Sequence, residues 1–99
     1  MNQPTLILLV KFKSPLGLEE VKAVVDSRIE EFRALKGLQQ KYYLQEPATQ
    51  EYAGLYLWES REDFETFRDS ELRKTIANAY QTIGEPRIEI FNVFEHLRE

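Results

Sequence analysis

The sequence contains no cysteine and only one histidine, His96. Without cysteine, disulfide bonds, thiol nucleophiles and thiolate metal sites are excluded. The remaining metal ligands are carboxylates, and Glu62, Asp63 and Glu65 are expected on an ordinary helix surface, so the sequence predicts no metal site. His96 is the only side chain whose ordinary pKa lies near neutrality. It follows the last predicted strand, and we expect it to be a surface residue.

The sequence also lacks any block of lysine or arginine, and its net charge is −4. This charge argues against binding DNA, RNA or an anionic membrane surface. No long apolar run is present either. The run from Thr5 to Val10 is short and is followed by Lys11-Phe12-Lys13, a pattern unlike a signal peptide or a membrane span. We therefore expect a cytoplasmic protein.

Glycine and proline are few, whereas 42% of the 99 residues are hydrophobic. This composition is globular, and the length predicts a single domain over residues 1–99. A chain of this size buries roughly 60 to 68% of its unfolded surface, which is enough for a core with little to spare.

The stretch from Glu51 to Glu59 predicts a central β-strand with two apolar faces. Because side chains alternate along a strand, one face carries Tyr52, Gly54, Tyr56 and Trp58, and the other carries Ala53, Leu55 and Leu57. A strand that is apolar on both sides is not expected to face bulk water on either. One face should meet helices, and the other needs a different cover.

The periodicity along the chain predicts three further strands and two helical regions. The strands are residues 5–12, 38–45 and 86–94, and the helical regions are residues 18–36, closed by Gly37, and 60–83, closed by Gly84. Ser60 is expected to cap the second helical region, with Asp63 completing a capping box. Within this region, Asp69-Ser70-Glu71 either continues or restarts the helix.

The resulting order is β-α-β-β-α-β, which predicts an α+β, ferredoxin-like sandwich. Its four-stranded antiparallel sheet carries both helices on one face. The far face then holds Ile7, Leu9, Phe91 and Val93 with one row of the central strand. So large an apolar patch is a liability on a monomer. An isologous homodimer, with two sheets stacked face to face, is the expected cover.

Two segments resemble a known family. Lys41-Tyr42-Tyr43 with Ala53-Gly54-Leu55-Tyr56-Leu57-Trp58-Glu59-Ser60 resembles the hairpin of the YdhR-type mono-oxygenases. Phe12 to Gly17, ending in Pro15-Leu16-Gly17, is similar to the end of their first strand. The resemblance runs from Leu6 to Phe94 and implies the dimeric α+β barrel superfamily, which includes antibiotic-biosynthesis mono-oxygenases and haem-degrading enzymes. It implies homodimers with an apolar cavity between sheet and helices in each subunit.

The resemblance implies oxygenation without a cofactor, in which a deprotonated phenol or quinol reduces O₂ directly. The protein must then supply a dry pocket, a fixed orientation and a polar group for a proton or an anion. The candidate catalytic residues are Tyr56, Trp58 and Asn92, and packing is the competing interpretation for each. The candidate residues for binding the small apolar or aromatic substrate are Tyr42, Leu8, Val10, Phe64 and Tyr80.

Other functional classes fit less well. Haem ligation would need a histidine on the second helical region, and residues 61–80 contain none. No serine lies in a nucleophile-elbow motif. RNA-recognition modules share the element order and place aromatic residues on the third strand, but Glu51 and Glu59 flank that strand here. A non-catalytic, small-molecule-binding homodimer remains the alternative, because the same cavity serves both functions. The substrate, the pathway and the acting base are not determined by the sequence.

Overall fold

The computed structural model describes residues 3–98, and its elements follow the predicted order. The strands are β1 (Leu6–Lys13), β2 (Leu38–Gln45), β3 (Tyr52–Trp58) and β4 (Ile83–Asn92). The helices are α1 (Leu18–Arg33), α2 (Arg61–Arg68), α3 (Glu71–Lys74) and α4 (Ile76–Ala79). The strands form one antiparallel sheet in the order β2-β3-β1-β4. The predicted ferredoxin-like α+β fold is confirmed.

The two faces of the sheet differ as the alternation of β1 and β3 predicts. Leu8 pairs with Tyr56 and Leu6 with Trp58, and all four side chains are buried beneath the helices. The neighbouring row, which includes Ile7, Leu9 and Leu55, lies on the opposite face and is only half-buried. The aromatic side chains of β3 are therefore core residues, and they cannot stack on RNA bases as those of an RNA-recognition module do.

Three boundaries differ from the sequence prediction. The first helix ends at Arg33 rather than at Lys36, and a turn separates it from Gly37, whose φ is +79°. The second helical region is broken because Ser70 caps a new short helix, its Oγ accepting a hydrogen bond from the Arg73 amide. Gly84 does not end a helix but lies at the start of β4, which begins three residues before the predicted Pro86.

The N-terminus of α2 is fixed by the predicted cap. Ser60 Oγ accepts a hydrogen bond from the Asp63 amide at 3.1 Å and donates one to Asp63 Oδ2 at 2.9 Å. Phe64 and Phe67, both buried on the inner side of this helix, pack against Trp58 with ring centroids 6.3 and 5.4 Å away. Capping and aromatic packing together dock α2 on the end of β3.

Replacing Gly37 by alanine is expected to cost about 2 to 3 kcal/mol of unfolding free energy. A left-handed conformation costs a residue with a side chain about 1 kcal/mol, and the new Cβ would overlap the Asp63 carboxylate, which accepts a hydrogen bond from the hydroxyl of the capping residue Ser60. Gly84→Ala is the matched control, since φ is +70° there and no atom lies within 4 Å of the added Cβ. Urea denaturation should show a loss of about 1 kcal/mol for this control. Equal losses of unfolding free energy in the two variants would show that overlap with Asp63 adds no cost at Gly37.

Candidate functional site

A cavity of about 400 Å³ lies between α1 and the sheet, beside the β2–β3 hairpin. Its volume lies in the range of about 300 to 1,000 Å³ that small-molecule sites occupy. The wall is mostly apolar and aromatic and includes Val10, Phe12, Val21, Val25, Tyr52 and Ile76. The polar residues along the wall are four tyrosines, Lys22 and Asp26 of α1, and Lys41 and Gln45 of β2. Such a cavity suits a small aromatic molecule with one or two polar substituents.

Three of the residues predicted to form the site line this cavity: Tyr56, Val10 and Tyr80. Tyr56 projects from the centre of β3, and Tyr80 follows α4 and packs against Phe12 with ring centroids 5.4 Å apart. Burial raises the pKa of Tyr56 far above its ordinary value and raises that of Tyr80 to about 12. Both hydroxyls are therefore protonated near neutral pH and can donate hydrogen bonds.

The other predicted site residues lie elsewhere. Trp58, Leu8 and Phe64 are buried in the core at 0, 2 and 2% exposure and do not line the cavity. Asn92 is exposed on the edge strand β4, opposite Leu6. Tyr42 lies on the opposite face of the sheet beside Leu55 and is 50% exposed, because the alternation of β2 turns it away from the helices. His96 is exposed in the C-terminal segment, as expected.

The residue that the sequence prediction missed is Lys41. Its side chain lies on the helix-facing side of β2, opposite Tyr56, and its Nζ is 3.8 Å from the ring centroid of Phe32. The ring centroids of Tyr56 and Tyr43 are 4.4 and 4.5 Å from the same atom. Burial, followed by the positive charge of Arg28, lowers the pKa of Lys41 from 10.5 to about 7. The π faces of the three rings favour the ammonium form and therefore act against this decrease.

Gly54 gives the lysine side chain its space. A Cβ at this position would stand 3.3 Å from Lys41 Cε and 3.1 Å from Tyr56 Cε1, both tighter than ordinary contacts. A glycine in the middle of a strand marks a close approach of this kind. Gly54, between Tyr52 and Tyr56 on β3, is the sequence signal for such an approach, and the register that places Lys41 opposite Tyr56 identifies the approaching residue.

The wall of the cavity is held by contacts away from its interior. Tyr52 uses its hydroxyl to donate a hydrogen bond to the Leu16 carbonyl at 2.8 Å, which fixes the turn between β1 and α1. Arg28 of α1 donates a hydrogen bond to Thr75 Oγ1 at 2.7 Å, which ties α1 to the segment between α3 and α4. Hydrogen bonds between different elements therefore hold the wall of the cavity in place.

The family profile described as "Putative mono-oxygenase ydhR" matches residues 6–99. The chain belongs to the ydhR family. The resemblance to this family, which the sequence of the hairpin indicates, is therefore confirmed. The match covers nearly the whole of this ydhR-family protein. Among curated proteins, none matches it.

Solved structures share the fold of this ydhR-family protein at low sequence identity. SnoaB, described as a cofactor-independent oxygenase from Streptomyces nogalater, is 15% identical, with a TM-score of 0.75 and coverage of 97% of this chain and 99% of SnoaB. A "putative antibiotic biosynthesis monooxygenase" from Caulobacter crescentus is 18% identical, with a TM-score of 0.75 over 94% of this chain and 92% of its own. A conserved protein from Methanosarcina mazei is 17% identical, with a TM-score of 0.74 over 91% and 93% of the two chains. At these identities the likeness shows the fold.

Within residues 3–98, no helix combines the length and the apolar character that crossing a membrane requires. In the same range, no three histidine, aspartate or glutamate side chains are grouped so that they could hold a metal ion.

Proposed function

We propose that this ydhR-family protein is a cofactor-independent mono-oxygenase that oxidises a small phenol or quinol in the cavity beneath α1. The observation that carries the proposal is the cavity itself, which combines an apolar wall with tyrosine hydroxyls and one buried amine. Membership of a mono-oxygenase family supports the reaction type, and the shared fold of SnoaB, a cofactor-independent oxygenase, supports the absence of a cofactor.

The proposed reaction uses the substrate as the reductant. A base removes the phenolic proton, and the phenolate passes one electron to O₂, which gives a phenoxyl radical and superoxide. These combine at a ring carbon that carries hydrogen, and the peroxide takes up a proton. Loss of the C–H proton and cleavage of the O–O bond then leave a carbonyl and release water. The substrate loses two hydrogens and gains one oxygen atom, and the second oxygen atom leaves in the water.

The protein contributes orientation and charge stabilisation to this sequence. Because the Tyr56 and Tyr80 hydroxyls stay protonated, they act as hydrogen-bond donors to the developing anion rather than as bases. The apolar wall excludes water from the radical pair. Trp58 and Asn92 have no contact with this cavity, and a catalytic role for either stays a prediction.

We also infer that the functional unit is a homodimer in which the far faces of two sheets pack together. That face carries Leu9, Leu55 and Tyr42 side by side on β1, β3 and β2. Phe91 of β4 extends the same surface and is 48% exposed. A second copy buries these side chains without any new element of structure.

Oxygen consumption on a panel of phenols and quinols, with and without a chelator, tests the proposal. The variant Val25→Trp, which fills the cavity from α1, is expected to lower the rate at least about 10-fold by excluding the substrate. Ala23→Trp, exposed on the same helix, is the control and should keep the rate. Loss of activity on chelation would contradict the cofactor-free reaction. No uptake, combined with a tightly retained small molecule, would favour the non-catalytic binding protein.

A further inference from the structure

The amine of Lys41 lies among aromatic rings at the wall of the cavity and does not project from the surface as a solvated charge. The side chain crosses Gly54 from β2 and ends among the faces of three aromatic rings, at the wall of the cavity. Lys41 also lines a second cavity, of about 320 Å³, together with Ile29, Phe32 and Leu38. The amine is thus largely enclosed by the protein, while it still reaches a volume that a ligand can enter.

Within residues 3–98, no carboxylate forms an ion pair with the amine of Lys41. The neighbouring positive group is Arg28 of α1, and Tyr43 of its own strand and Tyr56 of β3 supply rings. The other charged residues along the cavity, Lys22 and Asp26, are on the exposed side of α1. Burial and the nearby Arg28 make this ammonium easier to deprotonate, whereas the three ring faces favour its charged form.

We propose that Lys41 is the catalytic base of the oxygenase, taking the hydroxyl proton of a phenol bound in the cavity and then holding the phenolate as an ion pair. The O–H bond of the phenol breaks and an N–H bond forms. A neutral amine and a neutral phenol become an ammonium and a phenolate, so the cavity gains no net charge. This inference rests on the proposed function and narrows the substrate to phenols that bind un-ionised and react as anions.

The chemistry of the amine fits this role. With its pKa lowered to about 7, Lys41 is largely neutral at slightly alkaline pH and can accept a proton there. A general base works best when its pKa lies near the operating pH. Tyr56 and Tyr80 cannot replace it, since burial raises their pKa values. Once protonated, the ammonium faces the phenolate at short range, where an opposite charge stabilises the anion most strongly.

Binding of a nitrophenol tests the inference without any turnover, because its phenolate is yellow and its phenol is not. In the native protein the pKa of the bound nitrophenol is expected to lie about 1 to 3 units below its value in water. In Lys41→Met the shift should reverse, since an apolar cavity then disfavours the anion. Lys74→Met, which removes an exposed amine of α3 that does not line the cavity, is the control and should leave the shift intact. An unchanged shift in Lys41→Met would overturn the inference.

Oxygen consumption separates proton transfer from charge stabilisation. Lys41→Met should lose about 10²- to 10⁴-fold in rate, the usual contribution of a positioned base. Lys41→Arg keeps the positive charge but cannot act as a base, so its rate should recover only at a pH where the phenol ionises in water. Full activity of Lys41→Arg at neutral pH would overturn the role as base. If no phenol supports oxygen uptake, the oxygenase proposal fails, whereas the nitrophenol shift still decides whether Lys41 transfers a proton.

The pH dependence of stability provides a readout free of any ligand. The pKa of Lys41 is lower in the folded chain than in the unfolded one, so between pH 7 and 10 the unfolded state binds more protons. The urea midpoint of the native protein should therefore rise with pH over this window, and that of Lys41→Met should stay level. The raised pKa values of Tyr56 and Tyr80 act in the opposite sense from about pH 9 upwards, and this effect is common to the native protein and the variant. Parallel profiles for the two proteins would show that the amine stays charged in the fold, which would overturn the inference.

Discussion

Replacing Leu55 by aspartate is expected to convert the proposed homodimer into a folded monomer. Leu55 lies at the middle of the far face, between Leu9 of β1 and Tyr42 of β2, and is only half-buried in the single subunit. The carboxylate therefore stays hydrated in a monomer. In the proposed dimer, each subunit would bury one aspartate against an apolar sheet. Each buried charge costs several kcal/mol, so the dissociation constant should rise by at least ~10⁴-fold.

Sedimentation at micromolar concentration measures this change directly. The native chain should sediment as a dimer and Leu55→Asp as a monomer, with the same far-UV circular dichroism. Ala23→Asp places the same charge on the exposed side of α1, away from the sheet, and should remain dimeric. The proposal of paired sheets is wrong if the native chain is a stable monomer. It is also wrong if Leu55→Asp dimerises as tightly as the native chain.

The sheet and the first helix could be predicted because their patterns are local. The apolar row of Leu6, Leu8 and Val10 in β1 reflects strand alternation, and these residues are buried as expected. The end of the second helical region could not be placed because tertiary contacts decide it. Ser70 stops one helix and caps the next, and Tyr80 closes the last turn before β4. The sequence predicts that Gly84 ends a helix, but this residue adopts its left-handed φ at the start of β4.

The candidate site was less predictable, because a cavity depends on which side chains from distant elements leave space. Tyr56 was identified from its place on the central strand, and it lines the cavity. Lys41 could not be predicted as a site residue, because β2 has a mixed polar pattern in which a lysine is expected to be solvated. Only the pairing of β2 with β3 reveals that its side chain crosses Gly54 and reaches the aromatic cluster.

Trp58 illustrates how a residue type suited to a site can serve the core instead. Its indole is fully buried and is stacked on Tyr56, with ring centroids 6.3 Å apart and 4° between the planes. Within residues 3–98, Nε1 has no hydrogen-bond partner. A buried donor left unpaired costs about 1 to 3 kcal/mol. The ring therefore stabilises the fold through its packing, while its N–H group weakens that contribution.

Trp58→Ala is expected to lose about 3 to 5 kcal/mol of unfolding free energy, because it removes the largest ring of the aromatic cluster. Trp58→Phe should stay within about 1.5 kcal/mol of the native protein. Its smaller ring loses contacts, but the unpaired N–H is removed as well. Urea denaturation at constant pH measures both changes. A large loss in Trp58→Phe would mean that Nε1 has a partner in solution, such as a buried water or a ligand.

The same pair of variants separates the structural role of Trp58 from the catalytic role that the sequence predicts. If the indole only packs, Trp58→Phe should keep its oxygenase rate within a few-fold of the native rate, since the cavity wall at Tyr56 and Val10 is unchanged. If the indole N–H touches the substrate, the folded variant should lose about 10²- to 10³-fold, as for a missing hydrogen-bond donor to a developing anion. The structure favours the first result, because the ring lies behind Tyr56 and reaches no part of the cavity.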